Sequence, residues 1–157
     1  MIFLDFMNKF VYYKQIELKG ESLIIFLSSH KSSNKEGVVE RSRYIQHKGR
    51  EIYMLDCSDC KPQDISDIID ECARQVRSRP EGSVRTLTIA GGGKFDNNVL
   101  QKLKELTQGN APYVDRAAVV GITGLYKVVM NTVKLFSKRQ FHLFDTVEEA
   151  KDFLASE

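Results

Sequence analysis

The chain is poor in proline and cysteine, has no large excess of either charge, and lacks long apolar runs. Three prolines among 157 residues, with 42% of positions hydrophobic, exclude a disordered linker or an acidic tail, because enough apolar surface is available to offset the entropy of folding. Three cysteines are an odd number at low density, so no disulfide framework is expected and a reducing cytosol is the default setting. The 23 Lys and Arg against 21 Asp and Glu leave a net charge of +2, which gives no electrostatic footprint for non-specific nucleic-acid binding. The strongest apolar run, Leu23 to Leu27, has the length of a strand and falls far short of the ~20 residues that cross a bilayer. The segment Met1 to Gly20 is apolar and aromatic, but Asp5, Lys9, Lys14 and Glu17 interrupt it and no small-residue cleavage site follows, so no signal peptide is expected. What remains is an ordinary globular composition, expected in the cytoplasm without a membrane span. The length suits one domain, which buries roughly 70% of the surface of its unfolded chain.

The polar, serine-rich stretch Ser28 to Gly37 reads as a loop or linker between a short apolar unit and a more regular remainder. From Arg43 to Cys57 the pattern is strand, turn, strand, with Lys48-Gly49-Arg50 as the turn. Pro62 opens a helix whose apolar face is Ile65, Ile68, Ile69, Cys72, Ala73 and Val76, with acids early and arginines late, as the helix dipole favours. Ser83 to Ala90 is the next strand. Asp96 is a cap for a helix carrying Val99, Leu100, Leu103 and Leu106, with Phe95 and Leu100 as a hydrophobic staple and Gly109 as its stop. Ala117 to Ile122 is nearly all apolar, as in a central strand covered on both faces. Thr123 is placed to cap a helix with Leu125, Val128, Val129, Thr132, Val133 and Phe136 on its inner face. Phe141 to Phe144 is a last short strand, and Thr146 to Glu149 is a capping-box pattern opening a last helix. Strands alternating with helices predict an α/β layer fold with a mostly parallel sheet and an antiparallel first hairpin at its edge.

Several of these segments together resemble a known family. Ala118 to Leu154 is similar to the C-terminal half of SpoIIAA-like domains of the STAS superfamily, and the IYMLDCSD, VRTLTIAGGGKFDNNVL and NAPYV pieces fit in the same order. The resemblance covers roughly Ser42 to the C-terminus. It divides the chain into an N-terminal extension, residues 1–41, with extra edge strands and a linker, and a SpoIIAA-like domain, residues 42–157. It implies a mixed, mostly parallel sheet of four to five strands with four helices packed on it. It also implies a non-enzymatic regulatory or protein-binding module without cofactors. Relatives of this kind act as anti-sigma-factor antagonists, as cytoplasmic domains of anion transporters, and as sensor or scaffold parts. Phospho-switched STAS proteins place a Ser or Thr at the start of the helix after a central strand. Here the corresponding loop, Gly91 to Asn98, has neither, and the nearest hydroxyls are Thr88, Ser58 and Thr123. The kinase-driven switch is therefore not carried over.

Ligands in open α/β sheets sit outside the carboxyl ends of the strands. Three such ends carry polar or glycine-rich loops: Asp56 to Asp59 with Ser58, Gly91-Gly92-Gly93-Lys94, and Thr123-Gly124. Free amides at the helix starts, with the Lys94 charge, would suit a small anion or a partner contact, against the plainer reading of ordinary βα turns. The run is no P-loop, since G-x-x-x-x-G-K-[ST] is absent. Cys57 and Cys60 form C-x-x-C, which suits a redox pair or half a metal site, yet no second Cys pair or His cluster completes a metal site. Two reduced thiols at a strand end are expected, with Cys72 in the core. His30, His47 and His142 are scattered and build no catalytic set. Lys127, Lys134, Lys138 and Arg139 form a basic stripe on one helix face. It is a solvated surface or a contact for an acidic partner or an anionic membrane surface, and Tyr126 and Met130 opposite it suit the core or self-pairing into a homodimer. The expected role is a protein-binding module. A carrier of a small anionic or apolar ligand is the alternative, and a thiol enzyme on Cys57 and Cys60 the third reading.

Overall fold

The computed structural model describes residues 12–18, 21–27, 35–124, 127 and 141–157. The chain divides into two compact units, Met1–Glu36 and Gly37–Glu157. In the first, β1 (Tyr12–Leu18) and β2 (Glu21–Leu27) pair antiparallel, from Tyr12 opposite Leu27 to Leu18 opposite Glu21. They form a two-stranded sheet.

A short helix, α1 (Lys35–Arg41), follows. The stretch Ser28 to Gly37, read as loop, therefore already turns helical at Lys35. Glu36 in its first turn and Arg41 in its last complement the dipole, and Val38 packs on the core of the second unit. That packing is a tertiary contact which no local pattern announces.

The second unit is built on five strands in the order β3 (Ser42–His47), β4 (Arg50–Asp56), β5 (Val84–Ile89), β6 (Val114–Val120) and β7 (Phe141–Phe144). β3 pairs antiparallel with β4, and every later neighbour is parallel. The sheet is therefore mixed and mostly parallel, with the hairpin at its edge, as the alternation of elements predicted. The hairpin turn at Lys48 and Gly49 has positive φ at both residues, 47° and 77°, the geometry that matches the twist of paired strands.

Helices α2 (Pro62–Val76) and α3 (Asn97–Gly109) connect β4 to β5 and β5 to β6, and α4 (Val147–Ala155) ends the fold. The strand order advances steadily across the sheet, and crossovers between parallel strands are right-handed. Those two conditions put α2 and α3 on one face. The core divides accordingly. Tyr53, Leu55 and Cys57 face Ile65, Ile68 and Cys72 of α2 and Val99 of α3, while Ile52, Leu87, Ala118 and Val120 face Ala150 and Leu154 of α4. Alternation along β4 thus serves two cores.

One polar relay crosses the larger core. Ser42 Oγ lies 2.8 Å from the Tyr53 hydroxyl and 3.1 Å from the Ile68 carbonyl oxygen. The serine has one hydrogen, which goes to the carbonyl, so the tyrosine donates to the serine. Burial holds the Tyr53 phenol well above its ordinary pKa.

β6 differs at both ends from the sequence reading, whereas α3 ends as read. α3 stops at Gly109, and the missing side chain there lets the Arg77 guanidinium lie against the helix end, where its Nε donates to Asn110 Oδ1 at 2.9 Å. β6 begins at Val114, three residues before its apolar run, since Asp115 is held on the sheet by Arg85 at 3.4 Å. It ends at Val120, because Gly121 turns the chain with φ 80°. The caps at Asp96 and Thr146 form as read, Asp96 accepting from the Val99 amide at 2.8 Å and Thr146 closing a capping box with Glu149. The helix read between Leu125 and Phe136 lies outside the described residues apart from Lys127. Among the described residues, no helix is long and apolar enough to cross a membrane.

Candidate functional site

The carboxyl ends of β4, β5 and β6 emerge side by side, and their loops are sewn together through the backbone. The Cys57 amide donates to the Ile89 carbonyl at 2.8 Å and the Asp59 amide to the Gly91 carbonyl at 3.0 Å. The Lys94 amide returns to the Cys60 carbonyl at 3.0 Å, and the Gly93 amide to Ala90 at 3.1 Å. Glycine is required where these loops meet. A Cβ on residue 93 would stand 2.6 Å from the Cys57 carbonyl oxygen, and one on residue 121 would stand 2.7 Å from the Gly91 nitrogen. Gly93 and Gly121 therefore serve close backbone approach, while Gly92 takes φ 74°.

Ser58 is half-buried and committed. Its amide donates to Asp56 Oδ1 at 3.0 Å, its hydroxyl donates to the same oxygen, and its carbonyl accepts from Arg41 Nη1 at 3.0 Å. Arg41 also lies 3.6 Å from Asp56 and 3.3 Å from the Cys60 sulfur. This arginine was missed by the sequence reading, which left it at the end of the N-terminal extension. Its partners are 17 and 19 residues away, so no spacing rule points to it.

Lys94, Thr123, Gly124 and Lys127 are exposed, the last with its amide on the Gly124 carbonyl at 3.1 Å. Lys134, Lys138 and Arg139 of the expected basic stripe lie outside the described residues, as do Tyr126, Met130 and His30.

The C-x-x-C segment is one tight turn. The Cys60 amide donates to the Cys57 carbonyl at 3.3 Å, and Asp59 takes φ 54°. Helix α2 starts only beyond it, at Pro62 after Lys61, so neither cysteine sits in a helical first turn. All three cysteines are buried and reduced. Burial pushes the Cys57 thiol up to about 12 and raises Cys60 as well, with Arg41 opposing the shift at Cys60. Cys72 is raised also, chiefly by burial, against the hydrogen bond from Asn110.

His47 and His142 are remote from these thiols. His47 Nε2 lies 2.6 Å from Asp152 Oδ1, and the His142 ring is 4.4 Å from that of Phe153; both partners belong to α4, on the opposite face from Cys57. Among the described residues, no three His, Cys, Asp or Glu side chains are grouped to hold a metal ion. Compared with protein-family models, with curated proteins and with solved structures, the chain matches none of them.

Proposed function

We propose that the chain is a non-enzymatic, STAS-like regulatory module that binds a protein partner, or a second copy of itself, through the rim of its strand-end loops. The observation that carries this reading is how those loops spend their polar groups. The amides of Asp59, Gly93 and Lys94 already have carbonyl partners, and Arg41 is engaged by Asp56 and Ser58. Groups that would hold a small anion are used to fix the loops to each other. Lys94, Thr123 and Lys127 stand exposed on the outside, which suits contact with a partner surface. Thiols that burial keeps protonated add to the non-enzymatic reading. The mixed sheet with its antiparallel edge and terminal helix supports the STAS-like assignment, and the resemblance from Ser42 onward supplies the rest.

The test is a photo-crosslinking residue placed at Lys94, at Lys127 or, as a control at the opposite end of the sheet, at Glu81, in the native cell. A protein adduct from the rim positions alone is expected. Equal labelling at Glu81, or no adduct at any position, overturns the reading.

The second reading, a carrier of a small anionic or apolar ligand, is favoured by Lys94 following the glycine-rich loop at the entry to α3. It requires inorganic phosphate or an apolar probe to raise the melting temperature, and Lys94→Ala to abolish the phosphate effect.

A further inference from the structure

The binding reading makes no use of Cys57 and Cys60, yet the fold holds them in one turn beside a guanidinium. We propose that they are an oxidisable pair, closing into an intrachain disulfide when the protein meets a hydroperoxide, with Cys60 attacking and Cys57 resolving.

The geometry of the turn comes first. With the Cys60 amide on the Cys57 carbonyl, the segment is a four-residue turn, whose end Cα atoms lie within about 7 Å. A disulfide spans Cα atoms about 4.4–6.8 Å apart, so the turn holds the two cysteines in bonding range without moving β4 or α2. Both thiols belong to the same core cluster.

The order of attack follows from the surroundings. Cys57 is 0% exposed, whereas Cys60 retains 6% and carries the Arg41 contact at 3.3 Å. A guanidinium beside sulfur favours the thiolate, the form that attacks a peroxide. Burial works against it, so the reaction is slow at neutral pH and faster as pH rises. The narrow access also selects for a small oxidant over a bulky disulfide such as oxidised glutathione.

The chemistry balances without any other reagent. The Cys60 thiolate attacks one peroxide oxygen, the O–O bond breaks, and the leaving hydroxide takes a proton to become water. Cys60 is then a sulfenic acid. The Cys57 sulfur attacks Cys60 Sγ, the S–O bond breaks, and a second water leaves with the Cys57 proton. Two thiols are oxidised by two electrons, and one hydroperoxide is reduced.

The experiment treats the folded full-length protein with hydrogen peroxide and counts thiols. Of three, two are expected to disappear, the mass falling by two hydrogens and peptide mapping joining Cys57 to Cys60, with full recovery in dithiothreitol. Cys57→Ser should stop at a Cys60 sulfenic acid that dimedone traps. Cys60→Ser should leave Cys57 unmodified, and Cys72→Ala should still form the bond. Arg41→Met should slow oxidation several-fold at an unchanged urea midpoint or, if it destabilises the fold, still slow it when rates are compared at equal folded fraction. Retention of all three thiols under native conditions overturns the proposal. So does loss only in urea, a bond between chains, or trapping on Cys57 in place of Cys60.

Discussion

The carbonyl oxygen of Cys57 occupies the place where a side chain on Gly93 would begin: a Cβ there would lie only 2.6 Å away. One peptide oxygen at the end of β4 thus dictates the residue type in the loop after β5. The same logic joins β6 to β5, where Gly121 approaches Gly91 and also takes φ 80°.

Gly121→Ala should be the most damaging small substitution in these loops. It combines left-handed backbone strain with a backbone clash that no rotamer relieves, and should cost about 2–4 kcal/mol. The urea midpoint reports it. Gly124→Ala is the control. It also has positive φ, 53°, but a Cβ there meets nothing within 4 Å, so its cost should be clearly smaller.

Ser42→Ala should destabilise by about 1–3 kcal/mol, because it leaves the buried Tyr53 hydroxyl without an acceptor. Adding Tyr53→Phe removes the orphaned group, so the double variant should be more stable than the sum of the two single changes predicts. Equilibrium unfolding of all four proteins closes the cycle.

The thiols give alkaline sensitivity. Cys57 is raised in the folded chain from 9.0 to about 12, so its contribution is fully present below 9.0 and lost as pH rises toward about 12. Urea midpoints should therefore fall across that window, less steeply in Cys57→Ala. In the native state at neutral pH, alkylation of all three cysteines should be slow, and it should become complete on unfolding.

At the other end of the sheet, Asp152 accepts from Lys48 at 2.8 Å and from His47 at 2.6 Å. The lysine foremost, and then the histidine, hold its carboxyl below the ordinary carboxylate value. The folded value is depressed, so this tie between the hairpin turn and α4 holds above the ordinary carboxylate range and is lost as pH falls through the folded value. Carboxyl-carbon NMR should show the Asp152 midpoint rising in Lys48→Met, with the difference shrinking at high salt because the pair is exposed.

Asp96→Ala should cost about 1 kcal/mol through loss of the cap on the Val99 amide. Its effect should add to that of Ser42→Ala, as the two sites share no partner.

The sequence by itself determined the elements whose causes are local. Caps at Asp96 and Thr146, the turn at Lys48-Gly49, the helical face from Ile65 to Val76 and the short strand Phe141–Phe144 all follow from spacing and side-chain chemistry within a few residues. The alternation of strands and helices gave the α/β class in the same way, and the glycine-rich loop marked a strand end. Tertiary structure alone decided what depends on distant partners. It made Lys35–Arg41 helical through Val38 on the core, set Arg77 against the end of α3 at Gly109, and kept Asp115 in β6 through Arg85. It also placed Arg41 on Ser58, Asp56 and Cys60, turning a residue of the apparent extension into part of the strand-end cluster. The physical reason is one of range. Backbone hydrogen bonding and side-chain periodicity act along the chain, while close approach and charge pairing depend on which segments the sheet brings together.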